Sequence, residues 1–261
     1  MDFKQVLPWT VATTILVLVV YFGFFNENLS LKEPPKVRSE TYSLNADLER
    51  RIKEIVLKTI LERPEIVREA SLILEMKEKS AQTKLGLESI QNDLSKGDNT
   101  PILGNPKGDV TIIEFLDYNC GYCKRAAKIV KKIIDRDPQV RVALYELPIL
   151  SKNSIFAASA ALAAREQKKY KELHWALMDL GKVNRSTTLN AAKQIGLDIN
   201  KLTKDMQSQR VKLHISKSMN IAKALGIRGT PTFIIGNVIK PGLVTLDELV
   251  RIVKQMRSKA L

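Results

Sequence analysis

The strongest constraint on the fold is a pair of cysteines at a point where a strand is followed directly by a helix. Cys120 and Cys123 are the only cysteines among 261 residues. The apolar run at 110–116 predicts a buried strand, and the residues after the pair predict a helix that extends to about residue 135. The two thiols therefore lie one helical turn apart, at the start of that helix.

A Cys-x-x-Cys spacing occurs in redox pairs, in zinc sites and by coincidence. A zinc site needs four ligands, and the histidines that could supply the rest, His174 and His214, lie forty residues apart on helical patterns. A c-type haem site requires histidine directly after the second cysteine, where this chain has Lys124. The pattern therefore favours a redox pair, and we expect neither a metal nor an organic cofactor.

The position of each cysteine suggests its role. Cys120 lies near the positive end of the helix dipole, which stabilises the thiolate that acts as nucleophile in disulfide exchange. Cys123, one turn further on, is better shielded but can still reach Cys120. We therefore expect Cys120 to form the mixed disulfide with a substrate and Cys123 to resolve it.

The rest of the second half alternates strands with helices, which predicts an α/β domain. A second strand is expected at 140–147, and a long helical insertion at about 152–225. Gly229-Thr230-Pro231 precedes a third strand at 232–235. Gly236-Asn237 predicts a tight hairpin turn into residues 238–239, and a closing helix follows at 247–259.

These features resemble a known family. The stretch Val-Thr-Ile-Ile-Glu-Phe-Leu-Asp-Tyr-Asn-Cys-Gly-Tyr-Cys-Lys at 110–124, with Thr230-Pro231 and the helical insertion, is similar to the DsbA-like branch of the thioredoxin superfamily. The resemblance implies a thioredoxin fold with a helical insertion, and a thiol–disulfide oxidoreductase acting on protein substrates. The helices before the domain resemble the oligomerisation stalk of ScsC-type proteins.

The resemblance also implies roles for individual residues. Pro231 matches a cis-proline that lies against the active-site disulfide, and Thr230 would offer backbone pairing to an extended client. The alternative is an ordinary trans proline that opens a strand. Glu114 matches a buried acid that relays protons to the resolving cysteine. Its alternative is a glutamate on an edge strand that faces water.

Tyr122 is where the sequence departs from the strongly oxidising members of the family. Those members carry histidine directly before the second cysteine, and it stabilises the thiolate. Gly121-Tyr122 is instead similar to the dipeptide of DsbC, a dimeric isomerase. The difference favours a moderate redox potential, suited to forming and to reshuffling disulfides, with Tyr122 at the substrate surface.

The first 96 residues divide into three predicted segments. Residues 1–25 contain an apolar run of about 20 residues, enough to cross a bilayer as a transmembrane signal anchor. The alternative is a cleaved signal peptide, but bulky residues stand where a peptidase prefers small ones. Residues 26–43 are predicted to be a linker, and residues 44–96 a helical stalk. The thioredoxin domain is expected at 97–261.

The stalk is predicted from an amphipathic pattern. Apolar residues form one stripe, and charged residues lie opposite. The members of the stripe are Leu48, Ile52, Ile55, Val56, Thr59 and Ile60. Pro64 predicts a break before a second helix whose apolar pattern fades through residues 84–93. Two such helices have too little core to be stable alone, so they either pack on their own domain or, as we expect, associate with a second copy.

The composition is globular but basic, with 44% hydrophobic residues and a formal net charge of +14. The basic residues alternate with apolar ones at helical spacing, and no aromatic signature of RNA binding accompanies them. We therefore expect no nucleic-acid partner. The charge is compatible with attraction to an anionic membrane surface or to acidic client proteins.

The cysteine content and the anchor predict a location. A chain with no thiols beyond its redox pair suits an oxidising compartment. We expect a bacterial envelope protein anchored in the inner membrane, with its catalytic domain in the periplasm, or free there if the anchor is cleaved. Its partners would be thiol or disulfide proteins and a membrane redox partner that resets the cysteines. A dedicated reductase and a chaperone-like scaffold remain alternatives.

Overall fold

The computed structural model describes residues 45–95 and 100–260. The predicted anchor at 1–25 and the predicted linker at 26–43 lie outside these residues. In the two described ranges, no helix is both long enough and apolar enough to cross a membrane.

The described chain contains nine α-helices, one 3-10 helix and five strands. In chain order they are α1 (Ala46–Glu62), α2 (Glu65–Ser95), β1 (Ile102–Gly104), β2 (Val110–Leu116), α3 (Gly121–Arg136), β3 (Val140–Glu146), α4 (Lys152–Ala163), the 3-10 helix (Ala164–Gln167), α5 (Tyr170–Asp179), α6 (Arg185–Gln194), α7 (Ile199–Asp205), α8 (Gln209–Ala224), β4 (Thr232–Ile235), β5 (Val238–Pro241) and α9 (Leu246–Ala260).

The strands form one sheet in the order β1-β3-β2-β4-β5. The central strand β2 runs parallel to β3 and antiparallel to β4, with Glu114 opposite Leu144 on one side and Phe233 on the other. A strand buried on both faces reads as a continuous apolar run, which is why β2 could be located from the sequence. Helices α4 to α8 form the insertion between β3 and β4, so the α/β thioredoxin fold with a helical insertion is confirmed.

Each face of the sheet is covered by its own hydrophobic core. Residues of even number in β2, such as Ile112 and Leu116, pack with α3 and α9. Residues of odd number, such as Ile113 and Phe115, pack with α8 and the end of α2. The alternation follows from the two-residue period of a strand, and it places Glu114 on the face that α3 covers.

The last third of α2 packs against the sheet domain. Ile90 is 2% exposed and belongs to the core that contains Phe115. A Cβ atom at Gly86 would lie 2.8 Å from the side chain of Leu225, so glycine allows the close approach of α2 to the end of α8. The sequence analysis placed the start of the domain at residue 97. Ile90 lies before that residue, yet it is part of the domain's core.

Among the described residues, 45–64 and those from Glu65 onward form separate compact units. In the first unit, α1 begins at the N-cap Asn45, whose side chain accepts a hydrogen bond from the backbone N–H of Asp47. Its charged face carries ion pairs at helical spacing, such as Lys53 with Glu49 at 2.7 Å. No residue of α1 is buried.

Ile90→Ala tests whether the end of α2 is part of the domain core. Because Ile90 is fully enclosed, its truncation should lower the free energy of unfolding by about 2–4 kcal/mol. Leu213→Ala, at an exposed position of α8, is the control and should change it by less than about 1 kcal/mol. Urea unfolding followed by circular dichroism measures both. Equal effects would show that α2 does not support the domain.

Candidate active site

The turn between β2 and α3 is held by one buried carboxylate. Asp117 is 1% exposed, and it accepts hydrogen bonds from the backbone N–H groups of Asn119 at 2.8 Å and Leu150 at 3.0 Å. Its carbonyl oxygen accepts from the N–H of Cys120 at 3.0 Å. Asp117 thereby fixes the position of the cysteine motif relative to the chain after β3. It was not predicted, because an Asp before a helix is a common capping residue.

The two cysteines differ in exposure and in surroundings. Cys120 is the N-cap residue of α3 and is 8% exposed, whereas Cys123 is completely buried. Both are free thiols. The Cys123 sulfur accepts a hydrogen bond from the backbone N–H of Asp117 at 3.5 Å. Burial raises the pKa of the Cys123 thiol, and the negative charge of a nearby Glu114 carboxylate raises it further.

Glu114 lies inside the sheet and not at an edge. It is 1% exposed, and its Oε1 atom has no hydrogen-bond partner among the described residues. Burial raises the pKa of Glu114 to about 8, because an unpaired charge is costly in an apolar environment. The side chain therefore holds a proton at neutral pH, close enough to Cys123 to affect its ionisation.

The loop before β4 lies against the exposed cysteine. The Thr230–Pro231 peptide bond is cis, and the carbonyl oxygen of Thr230 accepts a hydrogen bond from the Cys120 thiol at 3.2 Å. The carbonyl oxygen of Pro231 accepts from the N–H of Gly242 at 2.8 Å, which ties this loop to the end of β5. Residues 110 positions apart in the sequence thus meet at one sulfur atom.

The helical insertion is tied to the cysteine motif on both sides of the pair. The Asn119 side chain accepts from the N–H of Val183 at 3.2 Å and donates to Ser154 Oγ at 3.4 Å. The Lys124 ammonium donates to the carbonyl oxygens of Leu180 and Gly181. Burial lowers the pKa of Lys124, and the negative charges of Asp117 and Cys120 oppose this shift. Neither Asn119 nor Lys124 was predicted, because bonds to distant backbone groups leave no local pattern.

Tyr122 is placed at the surface beside the cysteines. Its side chain is 56% exposed, and the Arg125 guanidinium lies 4.3 Å from the centre of its ring. This cation–π contact holds the ring on α3.

The two histidines lie in a buried polar network of the insertion. His174 Nδ1 is 3.1 Å from the hydroxyl of Tyr118, and burial lowers the pKa of His174 to about 3. His214 Nε2 is 3.1 Å from a Glu146 carboxylate oxygen. In the ranges that the structure describes, no group of three or more His, Cys, Asp or Glu side chains could hold a metal ion.

The sheet order, the cis-proline loop and a Cys-x-x-Cys pair at a helix start together define a dithiol protein of the thioredoxin fold. A family model for the DSBA-like thioredoxin domain matches residues 111–254. Because this match covers more than half of the chain, the protein belongs to the DsbA-like thioredoxin family of thiol–disulfide oxidoreductases.

Solved structures agree with this family. A thioredoxin-like oxidoreductase from Silicibacter pomeroyi DSS-3 is 46% identical, with a TM-score of 0.62 over 64% of this chain and 97% of that one. ScsC from Proteus mirabilis, in a transitional conformation, is 30% identical, with a TM-score of 0.61 over 83% of this chain and all of that one.

Curated relatives match over a shorter part of their length. The chain spans about a quarter of the first of them, Na⁺/H⁺ antiporters of Salinispora that are 25–27% identical over 155 residues, or 58% of this chain. A probable disulfide bond formation protein D of Bacillus cereus is 23% identical over 169 residues, 57% of this chain and 76% of that protein.

The buried Glu114 carboxyl gives folding a specific pH dependence. Its folded pKa of about 8 lies above the unfolded value of 4.5. Below pH 4.5 the carboxyl is neutral in both states, whereas between pH 4.5 and pH 8 only the folded protein keeps the proton, so the free energy of unfolding falls as the pH rises through this range. Between pH 5 and pH 8 the free energy of unfolding should fall by an amount on the order of 4 kcal/mol from this group.

Glu114→Gln, measured by urea unfolding at both pH values, should remove most of that fall. Glu62→Gln, at an exposed position of α1, is the matched control and should leave it unchanged. If the wild type and Glu114→Gln lose the same stability between pH 5 and pH 8, then Glu114 is not protonated in the folded protein.

Proposed function

We propose that this protein exchanges thiols and disulfides with protein substrates, with Cys120 as the attacking group and Cys123 as the resolving group. The observation that carries the proposal is the difference in exposure between the two thiols, 8% for Cys120 and none for Cys123. A substrate sulfur can approach only the first of them, while the second lies one helical turn behind it.

Each exchange has two steps. The Cys120 thiolate attacks one sulfur of a client disulfide and releases the other as a thiol, which leaves a mixed disulfide between Cys120 and the client. The Cys123 thiolate then attacks the Cys120 sulfur, releases the client as a dithiol and leaves the protein with a Cys120–Cys123 disulfide. The same two steps in reverse order oxidise a client and reduce the protein.

Glu114 supplies the proton transfer that the second step needs. The Cys123 thiol has a raised pKa, so it requires a base at the moment of attack. A carboxyl with a pKa of about 8 exchanges its proton near neutral pH. At pH 7 about a tenth of the Glu114 carboxyls are ionised. The Oε1 atom has no other partner among the described residues, so this ionised form can receive the proton from Cys123, and the carboxyl returns it on reduction.

Thr230 and Pro231 form the client-binding edge. The Thr230 carbonyl that accepts from the Cys120 thiol marks where the backbone of an extended client would run. Pairing of the client with this loop would hold its reacting sulfur next to Cys120. The exposed ring of Tyr122 contributes an apolar contact on the other side of the pair.

The redox character is that of an enzyme that both forms and reshuffles disulfides. The dipeptide between the cysteines, Gly121-Tyr122, is uncharged at neutral pH, so it gives the Cys120 thiolate no ionic stabilisation. A less stabilised thiolate corresponds to a less oxidising pair. This supports a moderate redox potential.

The location follows from the sequence outside the described residues. Residues 1–25 are proposed to anchor the protein in the inner membrane, with the catalytic domain in the periplasm. A membrane redox partner would reset the cysteine pair after each turnover. The absence of further cysteines in the 261 residues supports an oxidising compartment.

Residues 44–96 are proposed to associate with a second copy through their apolar surfaces. Large apolar side chains of α1 are exposed, among them Ile52, Ile55 and Val56, which are 43–64% exposed. The first half of α2 also exposes Val67, Ile73 and other large side chains. Burying each such side chain contributes roughly 1.5–3 kcal/mol, so a few of them shared between copies are enough for association.

Substituting each cysteine in turn tests the assignment of roles. Cys123→Ser should accumulate mixed disulfides with oxidised clients, because the resolving thiol is missing. Cys120→Ser should accumulate none, since its remaining thiol is buried. Non-reducing electrophoresis with mass spectrometry measures the adducts, and the double variant is the control. Adducts on the Cys120→Ser protein alone would reverse the assignment.

Equilibration with reduced and oxidised glutathione measures the redox potential. We expect a value between those of thioredoxin and DsbA, about −270 and −120 mV. Tyr122→His should shift it towards DsbA, since the imidazolium stabilises the thiolate, whereas Tyr122→Phe should leave it in place. A wild-type value at the DsbA end would contradict the proposed reshuffling role.

Polar substitution of the α1 stripe tests self-association. The full-length Ile52→Gln/Val56→Gln variant should be smaller than the wild type by light scattering at micromolar concentration, because the shared apolar surface is removed. Arg51→Gln/Lys58→Gln, on the charged face, is the control and should keep the wild-type size. A monomeric wild type would show that these helices do not join copies.

A further inference from the structure

Four segments of the chain meet around Cys120. They are residues 119–125, 149–156, 180–187 and 226–231. The second segment is held by the N–H of Leu150 on Asp117 and by Ser154 on Asn119. The third is held by the N–H of Val183 on Asn119. The fourth carries the Thr230 carbonyl that accepts from the Cys120 thiol. The last three segments are therefore each hydrogen-bonded to residues 117–120, at the start of the helix that carries Cys120.

The four segments carry basic residues and no acidic ones. They contain five exposed basic residues, which we call the cationic face: Arg125, Lys152, Lys182, Arg185 and Arg228. The nearest exposed carboxylate along the chain is Asp179, which ends α5 just before the third segment.

The charges of the cationic face are not neutralised within the described chain. Lys152, Lys182 and Arg228 form no ion pair with any described residue. Arg125 stacks over the ring of Tyr122, and Arg185 stacks over the ring of Phe156 at 5.1 Å. These contacts do not neutralise the guanidinium charges, because an aromatic ring carries no net charge.

Several basic residues away from Cys120 do have carboxylate partners. Arg257 bonds to both Asp109 and Asp137, and Lys240 pairs with Glu248 at 2.9 Å. Unpaired cations on all four segments therefore form a local field around the start of α3, which would attract an anionic substrate.

The same segments also expose apolar side chains. Tyr122, Ile149, Leu150 and Ile155 are each between 43% and 56% exposed. A partner of this surface must therefore offer negative charge, apolar side chains and a sulfur atom at Cys120. An extended polypeptide can do all three, because its side chains alternate in direction and its backbone can run past the Thr230 carbonyl.

Building on the proposed function, we propose that the cationic face selects client segments in which acidic residues flank the reacting cysteine. The charges would raise the encounter rate and orient the client segment. A flat anionic membrane is the competing partner, but it offers no sulfur to react with Cys120.

Three peptides of equal length test the proposal. Each has one central cysteine joined by a disulfide to 2-mercaptoethanol, and its flanking residues are Glu, Gln or Lys. The Cys120 thiolate attacks the peptide sulfur and expels 2-mercaptoethanol. Cys123 then expels the peptide thiol, so the protein dithiol is oxidised and the disulfide is reduced to two thiols. Acid quenching and mass spectrometry give the rate constant with the full-length reduced protein.

The Glu peptide should react about tenfold faster than the Lys peptide at low ionic strength, with the Gln peptide between them. In about 1 M salt the ratio should fall to less than about twofold, because the Debye length is then about 3 Å. Equal rates for all three peptides at low salt would overturn the selection of acidic clients and leave the proposed exchange activity intact. No reaction with any peptide would overturn both.

Two triple variants locate the effect on the surface. Lys152→Gln/Lys182→Gln/Arg228→Gln removes three charges at Cys120 and should lower the Glu-to-Lys ratio at least threefold. Lys107→Gln/Lys132→Gln/Arg136→Gln also removes three positive charges, but at the ends of β2 and α3 that lie away from Cys120. This control variant should keep the wild-type ratio. Equal loss in both variants would assign the preference to net charge and overturn the proposal.

Vesicles with anionic lipid distinguish the membrane alternative. The wild type and the variant that lacks Lys152, Lys182 and Arg228 should sediment equally with phosphatidylglycerol vesicles. If the variant loses vesicle binding while the peptides react at equal rates, the cationic face is a membrane-docking surface and the client proposal is overturned.

Discussion

The antiparallel pairing of β2 with β4 is the constraint on which the site depends. It places Phe115 opposite Thr232, and so brings the loop before β4 next to the turn after β2. Only this pairing carries Thr230 to Cys120, and only the parallel pairing of β2 with β3 carries Leu150 to Asp117. A single central strand, bonded on both sides, therefore assembles a site from distant segments.

Burial gives two chemically identical thiols different surroundings. Both cysteines belong to the core between the sheet and α3, but Cys120 lies at its rim and Cys123 inside it. The environment that shields Cys123 also raises its pKa, so shielding and low reactivity have one cause. Glu114 lies on the same face of the sheet, and burial raises its pKa to about 8, so this carboxyl can exchange a proton near neutral pH.

Elements that leave a local pattern in the sequence could be predicted. Residues whose positions depend on contacts between distant segments could not. The strand β2, the start of α3 and the strand β4 follow from an apolar run, a cysteine pair and a proline. The three-residue β1 was missed because it is too short for a period to show. Ile90 was missed because its pattern is weak and its burial depends on α8, and the bonds of Asn119 and Lys124 end on backbone atoms far away in sequence.

The account rests on the claim that substrates react with Cys120 and are released by Cys123. The most direct test follows the wild-type reduced protein in a single turnover with a client disulfide, quenched with acid at successive times. Peptide mapping by mass spectrometry then identifies the cysteine that carries the transient adduct. The account predicts an adduct on Cys120 that decays as the Cys120–Cys123 disulfide appears. A first adduct on Cys123 would contradict it.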